Sequence, residues 1–310
     1  MTSRQLLVEI QNPYETTGEW YKGNVHTHSL NSDGSASPQE VCVLYAQEGY
    51  DFLAITDHDV LTDILPEVDI IHLPGEELST PSPCGHMVAL NIQVPVDLNI
   101  SDQDRIKAVN AQGGIPILAH PNIHTTADYG DPSPPDHGWS DETIAILQEF
   151  QGIEIYNLIT DLYYPSGYSL DKWDAALSRG QRCWGFAVDD AHVLEHGDYP
   201  KGWLGGWIVV RTTQRARGQL VSAIRSGSFY SSTGIEIREI QLVNDTVTVE
   251  TADADEIRFI GQNGIILKRI AGGAGTYRIR GNELYVRVEC VNSLGKYAWS
   301  QPFYPSGTMV

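Results

Sequence analysis

Cysteine is scarce in this chain and occurs in no Cys-x-x-Cys spacing. The four cysteines, Cys42, Cys84, Cys183 and Cys290, are scattered, which indicates reduced and mostly buried thiols rather than a disulfide framework. The N-terminus lacks an apolar core of signal-peptide length, and no run elsewhere approaches the length of a membrane span. We therefore expect a soluble protein of the cytoplasm with no membrane partner.

Basic residues are also few. The chain has 20 lysines and arginines against 40 aspartates and glutamates, which gives a formal charge of −20. Affinity for phosphate backbones comes chiefly from clustered lysine and arginine, so a nucleic acid is disfavoured as a partner and a small-molecule substrate is favoured. Most of this acidity fits a soluble surface, and part of it fits the binding of cations. Composition leaves the oligomeric state open.

Histidines and carboxylates stand at the ends of short apolar runs. His26 and His28 lie one residue apart on an extended segment, so their side chains project to the same side and one metal ion can take both. Asp33 follows and can reach a second ion. The further ligand types at comparable places are His58, Glu77, His86, His120, Asp190 and His192. Rigid strand ends hold ligands while loops leave coordination positions open, so this set predicts a polynuclear metal site.

From about residue 21 to residue 230, short apolar strands alternate with helical periodicity. Ser37 and Glu40 form a capping box around Pro38, which predicts a helix from there to about Glu48. Further helices are predicted at Asp102 to Ala111, Asp141 to Phe150, Leu170 to Arg179 and Gln214 to Ser226, with strands near Val25, Leu53, Ile70, Met87, Ile115, Ile153, Trp184 and Trp207. Such repeats predict parallel strands with helical crossovers, and ligands at the carboxyl ends favour a barrel over an open sheet.

Two segments depart from this alternation. Residues 122–139 are rich in proline and glycine, which predicts a long loop over the mouth of the barrel. After Gly234 the apolar pattern changes to a period of two, with turns such as Gln262-Asn263-Gly264, which predicts a small all-β domain. We therefore divide the chain into a lead-in at 1–20, a metallohydrolase barrel at 21–235 and an all-β domain at 236–310.

The ligands occur in short phrases: His26-x-His28, Asp33, Thr56-Asp57-His58, Gly75-x-Glu77, Gly85-His86, Ala119-His120-Pro121 and Asp190-x-His192. In this order they resemble the PHP superfamily, named for polymerase and histidinol phosphatase domains, over residues 20–235. Within that superfamily, the phrases that look like the branch of the carbaryl hydrolases are Lys172-Trp173-Asp174, the stretch 184–192 and the stretch 227–234. A β-rich tail that ends in Ala298-Trp299-Ser300-Gln301-Pro302 is similar to the same branch.

The resemblance implies an α/β fold, namely a deformed seven-stranded (β/α) barrel with two or three divalent ions at its mouth. It implies that one ion is held by His26, His28, Glu77 and Asp190, a second by Asp33, His58 and His192, and a third by His86 and His120 with Glu77 as a bridge. Glu76 stands beside Glu77, and the Gly-x-Glu spacing selects Glu77. Mixed imidazole and carboxylate ligands suit zinc, manganese or iron without deciding among them.

Such a site favours a metal-dependent phosphoesterase. A hydroxide that bridges two ions would attack phosphorus in a small phosphomonoester or phosphodiester. The likeness to carbaryl hydrolases, with an expected aromatic wall from Trp139, Tyr163, Tyr164 and Tyr168, leaves hydrolysis of a carbamate or carboxylic ester open as an alternative. A non-catalytic binding protein that is stabilised by metal is the third interpretation.

Four further residues are candidates for supporting roles. Asp57, Asp59 and Asp189 flank predicted ligands and are expected to orient imidazoles through their second nitrogens, with simple surface solvation as the competing account. His124 follows His120 by four residues, at the start of the proline-rich segment. It is a candidate acid for the leaving group or a phosphate ligand, with an ordinary loop histidine as the alternative.

Overall fold

The computed structural model describes residues 9–80, 85–123, 137–164, 166–193 and 202–306. The first part alternates strands and helices: β1 (Glu9–Gln11), β2 (Glu19–Asn24), α1 (Pro38–Gln47), β3 (Phe52–Ile55), β4 (Ile71–Leu78), β5 (Met87–Leu90), α2 (Asp102–Ala111), β6 (Ile115–Leu118), α3 (Asp141–Ile146), β7 (Gly152–Asn157), α4 (Leu158–Tyr163), α5 (Leu170–Ser178), β8 (Trp184–Val188), β9 (Trp207–Thr212) and α6 (Arg217–Ser226). The rest is β10 (Phe229–Ser232), β11 (Ile237–Val243), β12 (Thr246–Thr251), β13 (Glu256–Gly261), a 3₁₀ turn (Gln262–Gly264), β14 (Ile265–Ala271), β15 (Ala274–Arg278), β16 (Arg287–Val291), β17 (Tyr297–Ser300) and β18 (Tyr304–Ser306). Among these residues, no helix is long and apolar enough to cross a membrane.

Four of the six helices in the described chain begin at a side-chain N-cap. Ser37 accepts a hydrogen bond from the backbone N–H of Glu40, and the Glu40 carboxylate accepts one from the backbone N–H of Ser37 at 2.8 Å, which confirms the capping box. Helix α2 covers the predicted residues and starts after the side-chain cap of Ser101. Helix α6 ends at Gly227, whose φ of 78° is left-handed and whose missing side chain leaves room for Trp184.

Three helices differ from prediction. Helix α6 begins at Arg217 instead of Gln214, because Ala216 is extended. Helix α3 stops at Ile146 instead of continuing to Phe150, because Leu147 is extended and Glu149 adopts a left-handed φ of 64°. Helix α4 was not predicted and starts directly at the end of β7. Its N-cap is Asn157, whose side-chain oxygen accepts a hydrogen bond from the backbone N–H of Thr160 at 3.1 Å.

A sheet of thirteen strands runs through the molecule in the order β14-β13-β16-β17-β10-β9-β2-β3-β4-β5-β6-β7-β8. Strands β2 to β4 are parallel to one another, and so are strands β6 to β8. Strand β5 is antiparallel to both of its neighbours, so the prediction of parallel strands throughout is wrong here. The connection from β4 to β5 is too short for the helical crossover that a parallel pair needs.

Strands β2 and β8 approach each other beyond their carboxyl ends. The backbone N–H of His28 donates to the carbonyl of Ala191 at 2.9 Å, and the N–H of Asp190 donates to the carbonyl of His26 at 2.9 Å. These bonds form a parallel bridge between Thr27 and Ala191. The first and last strands of the β2–β8 series therefore meet at the end that carries the predicted ligands.

The C-terminal strands are continuous with this sheet. Strands β13, β14, β16 and β17 extend it through β10, whereas β11, β12 and β15 form a separate three-stranded sheet. Strand β1 pairs with β18, so the predicted N-terminal lead-in is joined to the C-terminal end. In the described chain, every element after α6 is a strand except the 3₁₀ turn, which fits the prediction of an all-β region.

The described cysteines lie in the interior. Cys42, Cys183 and Cys290 are free and buried, as the sequence predicts, and burial raises the pKa of all three thiols. Cys84 lies outside the described residues.

A buried ion pair joins helix α5 to the C-terminal strands. Arg287 donates to the Asp174 carboxylate through Nε at 2.9 Å and Nη2 at 2.7 Å, and the Tyr285 hydroxyl donates to the same carboxylate at 2.8 Å. Asp174 and Arg287 are only 6% and 2% exposed. The Gln301 side chain adds a second joint, because it accepts from the backbone N–H of Gly185 at 2.8 Å and donates to its carbonyl at 2.9 Å. The phrases around Asp174 and Gln301 thus hold the C-terminal strands to α5 and β8.

We expect Asp174→Ala to lower the free energy of unfolding by about 3–5 kcal/mol, because it leaves the buried guanidinium of Arg287 without its bidentate partner. Urea unfolding followed by far-ultraviolet circular dichroism measures this. The more exposed pair of Asp245 and Arg278 provides the matched control, and Asp245→Ala should cost much less, because exposed ion pairs contribute little to stability. Equal losses in the two variants would contradict the structural role assigned to Asp174.

Candidate metal centre

Every predicted ligand lies at one edge of the β2–β8 strands. Ligands after parallel strands are His26 and His28 beyond β2, His58 beyond β3, His120 beyond β6, and Asp190 and His192 beyond β8. His86 precedes β5, and because β5 runs in the opposite direction, its amino end lies at the same edge. Asp33 lies in the turn after His28, and Glu77 lies near the end of β4. All nine predicted residues are described, and the structure brings them into one cluster.

The strand geometry of β4 separates Glu77 from Glu76. Glu77 points into the cluster, whereas the Glu76 carboxylate accepts a hydrogen bond from the backbone N–H of Val96 at 2.7 Å. Burial raises the pKa of Glu76 to about 7. Consecutive strand residues face opposite sides, so only one of the two glutamates can join the cluster, and it is the residue that the Gly-x-Glu spacing selects.

Four buried residues form the first donor group: His26, His28, Glu77 and Asp190. Their donor atoms are the Nε2 atoms of the two histidines, Glu77 Oε2 and Asp190 Oδ1. Five of the six separations between these atoms lie between 3.0 and 3.3 Å. The centre of a tetrahedron with such edges lies about 2.0 Å from each corner, which is the usual length of a zinc–nitrogen or zinc–oxygen bond. The donor set therefore fits a divalent cation.

Glu77 also belongs to a further group at its other side. Its Oε1 lies 3.0 Å from His86 Nδ1 and 3.0 Å from His120 Nε2, while its Oε2 lies 3.0 Å from His58 Nδ1. His58, Glu77 and His86 have donor atoms close enough to share an ion. The two oxygens of one buried carboxylate thus face different sets of imidazoles, which is the arrangement of a bridging ligand.

The remaining donor group opens towards solvent. It consists of His28, Asp33, His58 and His192. Asp33 Oδ2 lies 3.6 Å from His58 Nε2 and 3.3 Å from His192 Nε2, and the rings of His28 and His192 stack at 4.0 Å. The Asp33 side chain is 53% exposed, in contrast to 1% for Glu77. This group therefore forms the accessible side of the cluster.

The cluster perturbs the ionisation of its members. Burial by itself would lower the pKa of His26, but the carboxylates of Asp190, Glu154 and Glu77 raise it well above its usual value. Burial by itself would raise the pKa of Glu77, but the neighbouring imidazoles hold it well below its usual value. All ion pairs of Glu77, Asp190 and Asp33 in the described chain are with histidines. Buried carboxylates without a lysine or arginine partner are suited to a divalent cation.

Glu154 supports the cluster and was missed at the sequence level. One carboxylate oxygen lies 2.6 Å from His26 Nδ1, and the other accepts from the backbone N–H of His120 at 2.7 Å. Asn157 donates both to Glu154 at 3.0 Å and to Asp190 at 3.1 Å. A proton on Nδ1 of His26 leaves the Nε2 lone pair for an ion, so Glu154 fixes the tautomer. The sequence feature that could have identified Glu154 is its place between two isoleucines, Ile153 and Ile155, in a buried strand.

The three aspartates that were expected to orient imidazoles have other partners. Asp57 accepts hydrogen bonds from Ser29, Ser32 and Thr62. Asp59 accepts from Ser79 and Thr80, and Asp189 accepts from the Tyr45 hydroxyl and the backbone N–H groups of Leu204, Gly205 and Gly206. The prediction of imidazole contacts is thus corrected. These carboxylates accept hydrogen bonds from hydroxyls and amides. The hydrogen bonds hold in place the loops that carry the ligands.

Two of the ligand positions have left-handed backbone angles. His120 has a φ of 27° and Asp190 a φ of 56°, immediately beyond β6 and β8. Such conformations are unfavourable for residues with a side chain and persist where the surroundings enforce them. The backbone N–H of His120 donates to Glu154 and that of Asp190 donates to the carbonyl of His26, and these hydrogen bonds supply that constraint.

The predicted loop over the mouth is described only at its ends. His124 lies outside the described residues. Trp139 is buried and donates through its indole N–H to the carbonyl of His86 at 2.8 Å, and the ring of His137 lies 4.5 Å from that of His86. Trp139 therefore holds the backbone of His86. Because it is buried, it does not belong to an exposed aromatic wall. Tyr168 packs against Tyr156 and so is also occupied within the protein.

Comparison with known proteins places the fold. No protein-family model and no curated protein matches the chain. Among solved structures, it is similar to a two-domain protein from Bacteroides vulgatus ATCC 8482 that contains a predicted PHP-like metal-dependent phosphoesterase, with 16% identity, a TM-score of 0.51, and coverage of 96% of this chain and 91% of that one. It is also similar to a proposed metal-dependent phosphoesterase from Bifidobacterium adolescentis ATCC 15703, at 15% identity and a TM-score of 0.37 over 58% of this chain and 89% of that one. An amidohydrolase from Chromobacterium violaceum with bound sulfate and no metal matches at 16% identity and a TM-score of 0.37, over 58% and 93%. The Bacteroides protein shares the mixed α/β fold over nearly the whole chain.

We expect Glu154→Gln to weaken metal binding by about 10–100-fold, because it removes the charged partner that fixes the tautomer of His26. Competition with a chromogenic chelator measures the affinity without reference to turnover. Glu76→Gln is the control, since Glu76 is equally buried but faces away from the cluster. Unchanged affinity in Glu154→Gln, with the protein folded, would remove Glu154 from the proposed centre.

Proposed function

We propose that this protein is a metal-dependent hydrolase that cleaves a small phosphoric ester. The observation that carries the proposal is the first donor group, in which five of the six separations between donor atoms lie between 3.0 and 3.3 Å. Neighbouring groups share Glu77 and His28 with it, so several ions can lie side by side. Hydrolases that use such adjacent ions act on phosphate esters and on acyl bonds.

The proposed assignment gives each ligand except Glu77 to one ion, and it groups His86 with His120 because both lie 3.0 Å from the same oxygen of Glu77. His26, His28, Glu77 and Asp190 would hold one ion, Asp33, His58 and His192 a second, and His86 and His120 a third together with Glu77. Zinc, manganese and iron all suit these ligands. When bound, such ions lower the pKa of coordinated water towards about 7 and stabilise negative charge on the oxygens of the scissile group.

The chain's own residues give this site its orientation and its open side. Glu154 keeps the Nδ1 proton of His26 directed away from the cluster, and Asn157 fixes the second oxygen of Asp190. The carbonyl of Asp190 accepts from Nδ1 of His192 at 2.8 Å, so Nε2 of that imidazole faces Asp33. A substrate would approach at Asp33, because the other carboxylates of the cluster are buried.

The proposal also includes the finer fold. Strands β2 to β8 would form the deformed seven-stranded barrel of the PHP superfamily, and the bridge between Thr27 and Ala191 supports its closure. Residues 236–310 would form the C-terminal all-β domain, as in the carbaryl-hydrolase branch. We propose a cytoplasmic location on the composition alone.

A second candidate is hydrolysis of a carbamate or carboxylic ester at the same centre. The observation in its favour is that no lysine or arginine pairs with the carboxylates of the cluster in the described chain. A neutral carbonyl substrate needs no such cation, because the ions themselves serve as the oxyanion site. Metal binding without hydrolysis of either ester class would favour the third interpretation, a metal-stabilised binding protein.

We expect metal-loaded protein to release 4-nitrophenol from aryl phosphate esters, and Glu77→Gln to reduce kcat at least about 100-fold with loss of bound metal. Elemental analysis and a colorimetric assay measure the two effects. Glu76→Gln should keep both the metal content and kcat. If the native protein cleaves aryl carbamates or carboxylic esters but no phosphate ester with zinc, manganese or iron, the second candidate replaces the first.

Chelation should lower the thermal unfolding temperature. Metal binds the folded chain in preference to the unfolded chain, and at 1,000-fold excess over Kd this linkage contributes about 4 kcal/mol of stability per site. Differential scanning fluorimetry before and after dialysis against a chelator measures the shift, and added zinc or manganese should restore it. The absence of any shift would contradict occupation of the buried donor group.

A further inference from the structure

The open side of the centre has an apolar rim. Leu30, Val60 and Val193 are 62%, 40% and 52% exposed. Each follows a ligand of the accessible donor group by one or two residues: Leu30 follows His28, Val60 follows His58, and Val193 follows His192. The rings of these three histidines lie 4.0–6.0 Å apart, and the three exposed apolar residues are their near neighbours in the chain.

Two exposed aromatic side chains lie beyond the strand that carries Glu154. Tyr163 and Tyr164 stand at the end of helix α4, which follows that strand, and they are 55% and 39% exposed. Five of the twelve large exposed apolar side chains in the described chain thus lie in segments that follow a strand leading to a ligand or carrying Glu154. Single exposed apolar residues need no explanation, but a concentration at one opening marks a binding surface.

Cationic side chains are missing from the same segments. No lysine or arginine occurs between Lys22 and Arg105, between Lys107 and Lys172, or between Arg182 and Lys201. All nine predicted ligands lie within these three stretches. A phosphomonoester carries close to two negative charges at neutral pH, and proteins commonly bind such groups with lysine or arginine. Bound ions would supply the positive charge that these segments lack.

From the apolar rim and the missing cations together, we propose that the substrate is a phosphodiester with an apolar, preferably aromatic, substituent. The proposal rests on the proposed phosphoesterase function and deepens it. The single negative charge of a diester is matched by the ions, while its substituent packs against Leu30, Val60 and Val193. Burial of the substituent supplies the binding energy that lysine or arginine would supply for a more highly charged ligand.

Titration calorimetry of zinc-loaded and manganese-loaded protein with diphenyl phosphate and dimethyl phosphate tests the apolar contact. Both ligands are monoanions with the same phosphate group, so their difference in affinity reports the substituent. We expect diphenyl phosphate to bind at least about tenfold more tightly. Equal affinities for the two ligands would overturn the proposal.

Variants at the rim test which residues are responsible. Leu30→Ser should remove most of the preference for diphenyl phosphate, whereas Leu294→Ser, an 81% exposed leucine in the C-terminal region, should leave it unchanged. Val60→Lys adds a cation at the opening and should shift the ratio of kcat/KM for 4-nitrophenyl phosphate over bis(4-nitrophenyl) phosphate upward by about tenfold. A preference that survives Leu30→Ser and Val60→Ser together would show that the rim does not bind the substituent.

Turnover separates this inference from the proposed function. Preferential binding of diphenyl phosphate without hydrolysis of any phosphate ester would refute the phosphoesterase and leave the apolar specificity standing. Hydrolysis of 4-nitrophenyl phosphate with a higher kcat/KM than bis(4-nitrophenyl) phosphate would support the phosphoesterase and overturn the inferred substrate class.

Discussion

The buried carboxylate of Glu77 is the constraint on which the centre depends. It is 1% exposed and has five imidazoles, but no lysine or arginine, among its described ion-pair partners. Burying a carboxylate in such surroundings costs free energy unless an opposite charge lies next to it. The neighbouring imidazoles hold the pKa of Glu77 well below its usual value, and divalent ions could supply positive charge at the same place. The same electrostatic requirement thus explains both the perturbed pKa values and the fit to metal.

The strands around this carboxylate give the centre its rigidity. Ligands from β2, β3, β4, β6 and β8 meet at one edge, and the antiparallel β5 contributes His86 from its amino end. Glu154 on β7 supports two ligands, because it contacts both the side chain of His26 and the backbone of His120. Each of the strands from β2 to β8 therefore contributes either a ligand or the support of one. A centre built in this way needs little reorganisation when it binds an ion.

The C-terminal strands contribute to the centre indirectly. They are joined to α5 through Asp174 and to β8 through Gln301, and β8 leads directly into Asp190 and His192. Leu30, Val60 and Val193, which follow ligands of the accessible donor group, lie in loops rather than in the sheet.

Local patterns in the sequence determined the elements and the ligands. Capping residues such as Ser37 and Ser101 fixed helix starts, and strand alternation together with the Gly-x-Glu spacing distinguished Glu77 from Glu76. The role of Asn157 as an N-cap was harder to predict, because it is the last residue of β7 and α4 follows without an intervening loop. The supporting role of Glu154 could not be derived, since its partners His26 and His120 lie 128 and 34 residues away in the chain.

Tertiary structure alone decided which donor atoms lie close together and which aspartates do not reach the imidazoles. Donor atoms must lie within a few ångströms, and sequence spacing cannot give distances between residues on different strands. Asp57, Asp59 and Asp189 flank ligands in sequence, yet neighbouring amides and hydroxyls are nearer to them than any ring nitrogen. The sequence thus specified the ligand types and their order, because these depend on local chemistry. The fold determined which ligands lie together and which loop residues lie beside the accessible donor group, because both depend on contacts between residues that are distant in the sequence.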